Sequence, residues 1–133
     1  YGAVNFDRDG NLYTTAIAGG LNGVGAVLRL SHKPPRVIAY SFGLDKGYGP
    51  VAGVLIDPRN NNLYGTTSLG GPNDAGGVYR IASKHETELY SFTGGDDGGQ
   101  PVAALIADKD GNLYGTAKAG GTSNNGVVFE ITH

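Results

Sequence analysis

Two segments carry paired carboxylates at a spacing that suggests cation ligation, Asp7-Arg8-Asp9-Gly10 and Asp108-Lys109-Asp110-Gly111. An EF-hand calcium loop takes oxygen ligands at positions 1, 3 and 5, glycine at 6 and glutamate at 12. Counted from Asp108, the sixth residue is Leu113 and the twelfth Ala119, so the match fails. Both segments read instead as tight turns, because aspartate, asparagine and glycine tolerate positive φ. A related segment, Asp57-Pro58-Arg59-Asn60-Asn61, keeps the turn residues and loses the second carboxylate. The glycine-rich loops lack the Gly-x-x-x-x-Gly-Lys-Ser/Thr phosphate cradle, and Gly19 to Gly25 lacks dinucleotide spacing. No Gly-x-Ser-x-Gly is present. His32, Ser83 and His133 hold one repeated turn position, with His85 in the same turn, which points to solvent-exposed residues rather than a catalytic histidine. With no cysteine, a thiol nucleophile, a disulfide scaffold and a Cys-based zinc site are excluded.

The elements that would position any chemistry come from self-comparison. Gly10-Asn11-Leu12-Tyr13 returns as Asn61-Asn62-Leu63-Tyr64 and as Gly111-Asn112-Leu113-Tyr114, at spacings of 51 and 50. The pairs Gly19-Gly20, Gly70-Gly71 and Gly120-Gly121 keep the same spacings. Tyr40-Ser41-Phe42 returns as Tyr90-Ser91-Phe92, and Pro50-Val51-Ala52 as Pro101-Val102-Ala103. The chain is therefore one repeat domain, with copies at 1–49, 50–100 and 101–133, the last partial. In the second copy, β-branched and aromatic runs bounded by Gly, Asn and Asp predict strands near 51–56, 63–68, 78–81 and 87–92. Helical periodicity is absent.

Four strands in about 50 residues, repeated, make the expected fold all-β, built of β-propeller blades with the last copy lacking its fourth strand. A β-solenoid is the rival. Leu63, Val78, Ile81, Phe92, Leu105, Leu113, Val128 and Ile131 are expected in the core. Gly65 and Gly115 are expected where a neighbouring blade's backbone or ring approaches closely, although the first copy has Thr14 there.

Because the strands alternate in direction, second-to-third loops and inter-blade linkers emerge at one end. Asn22, Asn73, Asp74, Asn124 and Asn125 then share a face with Asp45, Lys46, Tyr48, Asp96, Asp97 and Gln100. Convergent short polar groups suit a hydroxyl-rich ligand such as a glycan, or a protein. No cofactor is expected, a calcium ion beside these loops being the one candidate. Tyr40, Phe42, Tyr90 and Phe92 are read as packing between blades.

Composition narrows the classes further. Glycine fills 24 of 133 positions, against an ordinary share of roughly 7%, yet 39% of residues are hydrophobic, enough for a folded core rather than a disordered chain. A net charge of −2 without a basic patch argues against nucleic acid, and no run approaches the ~20 apolar residues of a membrane helix.

The string Gly111-Asn112-Leu113-Tyr114-Gly115-Thr116-Ala117, followed by Gly120-Gly121 and Gly126-Val127-Val128-Phe129-Glu130-Ile131, resembles the GloVer-type (Gloeo/Verruco) tandem-repeat family. The linking segment Leu89-Tyr90-Ser91-Phe92-Thr93-Gly94-Gly95-Asp96 is similar to that family's as well. The resemblance implies exported or surface-attached bacterial proteins with many such repeats, hence an extracellular or cell-surface location. It implies no activity. The resulting expectation is a binding or scaffolding module whose ligand sits at the loop face. The alternatives are a propeller enzyme, a lyase or hydrolase acting on a glycan or lactone, and a self-assembling structural repeat. Propellers close with 4–8 blades, so the expected partners are further copies of the chain or the rest of a longer one.

Overall fold

The computed structural model describes residues 2–31 and 37–132. His32, Arg36 and His133 lie outside the described residues, so the turn expected at His32 and His133 is not described. Fourteen strands and no helix occur among the described residues. The first copy forms an antiparallel meander of β1 (Asn5–Phe6), β2 (Leu12–Ala16), β3 (Ala26–Leu30) and β4 (Val37–Ser41). The linker strand β5 (Gly47–Tyr48) follows. The second meander is β6 (Leu55–Ile56), β7 (Leu63–Thr67), β9 (Gly77–Ala82) and β10 (His85–Ser91), with β8 (Leu69–Gly70) continuing β7 and pairing with β5. The third sheet holds β11 (Gly99–Pro101), β12 (Ile106–Ala107), β13 (Leu113–Ala119) and β14 (Val127–Ile131), with β11 and β12 at the two ends of one edge of β13.

Registers repeat. Leu12↔Leu30, Leu63↔Ile81 and Leu113↔Ile131 are equivalent pairs in the three sheets. A bulge recurs in the outer pair, at Ala39 in β4 and Leu89 in β10. The first strand is shorter than the sequence predicts: only 55–56 of 51–56 is ladder-paired. The carbonyls of Ala52 and Val54 accept hydrogen bonds from Thr15 Oγ1 (3.0 Å) and Asn5 Nδ2 (2.7 Å) of the first copy. That stretch runs between sheets, where its polar groups find side-chain partners, instead of inside one.

Period-2 alternation gives each sheet a front and a back, and the front of one packs on the back of the next. Tyr13, Val27 and Phe42 on the first sheet meet Val54, Leu63, Tyr79 and Ile81 on the second. Their equivalents Tyr64, Val78 and Phe92 meet Leu105, Leu113, Phe129 and Ile131 on the third. Phe42 stands edge-on to Tyr79 with centroids 5.0 Å apart, and Phe92 edge-on to Phe129 at 5.0 Å, an arrangement the aromatic quadrupole favours. The middle strand β7 is consequently buried along its whole length, whereas β2 and β13 are not.

This layering corrects one expected core position. Val128 is 80% exposed, while its equivalent Val78 is fully buried. Both lie on front faces; the third sheet covers Val78, and among the described residues no sheet covers Val128. Ile131 is half-buried, and the other six expected core residues are buried.

The glycine expectation is corrected too. The ring that needs Gly65 belongs to its own sheet: Gly65 pairs with Tyr79, and a Cβ there would lie 2.4 Å from the Tyr79 hydroxyl oxygen. Gly115 meets Phe129 in the same way, 2.4 Å from Cζ. In the first sheet the cross-strand pair is Thr14 and Leu28. A leucine does not lie flat across the neighbouring strand, so a side chain is tolerated.

Candidate functional site

The Asp-containing turns between first and second strands are built by their own carboxylates. Asp7 Oδ1 accepts the amides of Asp9 (3.0 Å) and Asn11 (2.8 Å), and Asp108 Oδ1 those of Asp110 and Asn112 (2.9 Å each). Their Oδ2 atoms accept the Asn11 and Asn112 side-chain amides. In the middle copy Asp57 accepts the Arg59 amide at 2.9 Å and the guanidinium at 3.0 and 3.1 Å. The Arg59 side chain, with its backbone bond, holds the Asp57 carboxyl below the usual range, and the Asn112 side chain leads the same effect on Asp108. Both are ionised at neutral pH. The nearby Tyr114 phenol lies 2.8 Å from Glu130 and 3.2 Å from Asp108 and is pushed up to about 12, chiefly by the Glu130 bond.

Two of these turns wall a cleft of about 360 Å³ between the second and third sheets. Leu55 and Ile56 of the second sheet and Ala107 and Leu113 of the third line it with apolar surface, alongside Asp57, Arg59, Asp108 and Lys109. At the first junction Tyr13 and Leu63 line a separate cavity of about 150 Å³ with Arg29, Ala39, Ile81 and Lys84, beside the third and fourth strands. Asn5, equivalent to Leu55, ties the first strands together through Val54 O, and leucine has no such donor. Sequence reasoning missed this cleft, although the change from Asn5 to Leu55 at one repeat position was its visible signal.

The expected loop-face residues fall into distinct groups. Asp74 and Asn124 are equivalent, both at positive φ (51° and 54°), and each accepts the amide of the glycine four residues before it, Gly70 (2.8 Å) and Gly120 (3.0 Å). Their oxygens close their own loops. Tyr48 packs against the first core cluster with its hydroxyl 3.5 Å from Asp74, and Gln100 takes φ 52° while its amide reaches Ala75 O at 2.7 Å. Asp45, Asn73, Asp96 and Asn125 are exposed.

Lys46 and Asp97 occupy equivalent positions, one residue before Gly47 and Gly98, and do different work. Lys46 Nζ lies 3.6 Å from Glu86 Oε2, and Tyr40 donates to the same oxygen at 2.7 Å. The Glu86 side chain is 2% exposed, a buried carboxylate joining the fourth strands of two repeats. Burial, then Glu86, drive the Tyr40 phenol far up. Asp97 accepts from Tyr90 (2.9 Å) and from the amide (2.9 Å) and hydroxyl of Thr93. Its slight burial opposes ionisation, yet these bonds outweigh it and leave the carboxyl low. The Glu86 junction was not foreseen, because Glu86 has no repeated counterpart to draw attention to it.

Among the described residues no three His, Asp or Glu side chains converge as a metal site, and no helix is long and apolar enough to cross a membrane. The model of the Gloeobacter/Verrucomicrobia repeat matches residues 1–133. No curated protein matches the chain.

Proposed function

The chain belongs to the Gloeobacter/Verrucomicrobia repeat family, and from that premise we propose that it is a β-propeller-type binding and scaffolding module on the outside of a bacterial cell. The front-to-back stacking of equivalent meanders supports blades over solenoid rungs. The observation that carries the binding reading is the cleft between the second and third sheets: two apolar residues from each sheet and an internally paired Asp57 and Arg59 beside them. Such a site suits an apolar side chain of a protein or peptide with polar groups flanking it.

The enzyme alternative has less support. Glycoside hydrolysis needs one carboxyl that keeps its proton near working pH, and the cleft's two candidates, Asp57 and Asp108, are both held low by hydrogen bonds. A glycan at the loop face also has less support, since the Asp74, Asn124 and Asp97 oxygens already serve backbone groups of their own loops.

A displayed peptide library selected on the immobilised chain tests this. The expected binders share an apolar anchor and lose affinity at least about tenfold when Ala107→Trp fills the cleft. Oligosaccharide binding indifferent to that substitution, or turnover of a glycan or lactone, would overturn the reading.

A further inference from the structure

In the first two sheets the third strand has a partner on both sides. β3 lies between β2 and β4, and β9 between β7 and β10. Among the described residues β14 pairs with β13 alone. Beside its other edge runs a groove of about 520 Å³, floored by Leu89, Tyr90 and Phe92 of the second sheet and bordered by Asp97 and β14. This is the place that β10 occupies relative to the first sheet. A strand edge without a strand partner, next to an apolar floor, is the geometry of strand addition.

The first junction shows what a strand in that position must offer. Glu86 on β10 reaches back to Tyr40 and to Lys46 of the preceding repeat. At the second junction the equivalents are Tyr90 and Asp97, already bonded to each other at 2.9 Å and both lining the groove. The cation has become an anion. A strand carrying glutamate at the Glu86 position would bring a second carboxylate against Asp97, and like charges in contact disfavour pairing. A strand carrying a cation there would restore the pair.

We propose that the β14 edge and its groove receive a fourth strand of this repeat type whose residue four places before its tyrosine is basic, so that the junction's ion pair recurs with its charges exchanged. The two fourth strands in the chain's own sequence differ at that position. Arg36 precedes Tyr40 by four residues, and Glu86 precedes Tyr90 by four. The segment 35–43 therefore has the chemistry of the occupant, and the segment 85–93 has not. The proposal rests on the β14 groove and stands independently of what fills the cleft at the other end of the strands.

The experiment uses fluorescent peptides of sequence 35–43 and 85–93, each also with its charge swapped (R36E and E86R), titrated into the intact chain. The peptides with arginine should bind at least about tenfold more tightly than their glutamate counterparts, and binding should slow hydrogen exchange in β14. Asp97→Asn keeps one oxygen to accept from Tyr90 and the Thr93 amide and should abolish the discrimination with the fold intact. Asp97→Lys should invert it. Equal binding of the arginine and glutamate peptides, discrimination unchanged in Asp97→Asn, no binding by any peptide, or binding that leaves β14 exchange unaltered would each overturn the proposal.

Discussion

Introducing a methyl group at position 65 isolates the contact that sets the cross-strand aromatic packing. The backbone at Gly65 is not among the positive-φ positions, so alanine brings no φ strain there and the penalty is steric. The new Cβ would stand 2.4 Å from the Tyr79 hydroxyl oxygen and 2.6 Å from Cζ, and Tyr79 is wedged at 1% exposure between Gly65 and Phe42. Overpacking costs about 1–3 kcal/mol, and replacing a strand glycine returns about 0.5–1 kcal/mol through chain entropy. A net loss of about 0–2.5 kcal/mol follows for Gly65→Ala. Tyr79→Leu alone gives up ring burial while removing a buried hydroxyl that has no partner among the described residues, itself a burden of about 1–3 kcal/mol. The double variant reproduces the small-residue-opposite-leucine arrangement that Thr14 and Leu28 already use. Urea titrations of the four proteins should therefore show a favourable coupling of about 0.5–3 kcal/mol. Additivity within about 0.5 kcal/mol would refute the steric argument.

Leu113→Ala should lose about 2–5 kcal/mol in the same titration, whereas Val128→Ala should change the stability of the dissociated chain by less than about 0.5 kcal/mol, although both come from equally regular repeat positions. Asp57, whose folded pKa is depressed, contributes stability at neutral pH. As pH falls below the ordinary carboxylate value near 3.9, the unfolded chain takes the proton first and that contribution drains away through the lower folded pKa. Asp57→Asn should flatten the acid limb of a stability–pH curve; an unchanged limb would mean that the turn bonds do not favour the ionised form. Lys46→Met should destabilise the chain by leaving the Glu86 carboxylate buried without its cation, and Lys46→Met with Glu86→Gln should recover most of the loss. A double variant no better than the single would show that the junction does not depend on the charge pair.

The repeat and its strands were legible because Leu63, Tyr64, Val78 and Phe92 have counterparts in register, and a strand's partners follow from a meander. Val128 shows where that logic stops. It has the same letter and the same register as Val78, but burial depends on whether another sheet lies in front of it, which no local pattern encodes. The turn aspartates are legible as turn formers from residue type alone, since the bonds that close the turns span no more than four residues. Glu86 was invisible for the opposite reason. Its partners Tyr40 and Lys46 are 46 and 40 residues away, and only alignment of the copies, with Arg36 against Glu86 and Lys46 against Asp97, displays the exchanged charges.

Underlying both the fold and the proposed function is one claim: each sheet is a unit whose front face is shaped to receive the back of another such sheet. The third sheet's front, with Val128 at 80% exposure, and the first sheet's back, with Val4 at 49%, should then recognise one another between molecules. Sedimentation equilibrium of the 133-residue chain at micromolar concentration tests this most directly. Assembly of two chains, giving a six-bladed ring within the usual range, is the predicted result, reduced to a 13.7 kDa species by Val128→Lys. A wild-type chain that sediments as a stable 13.7 kDa monomer would contradict the account.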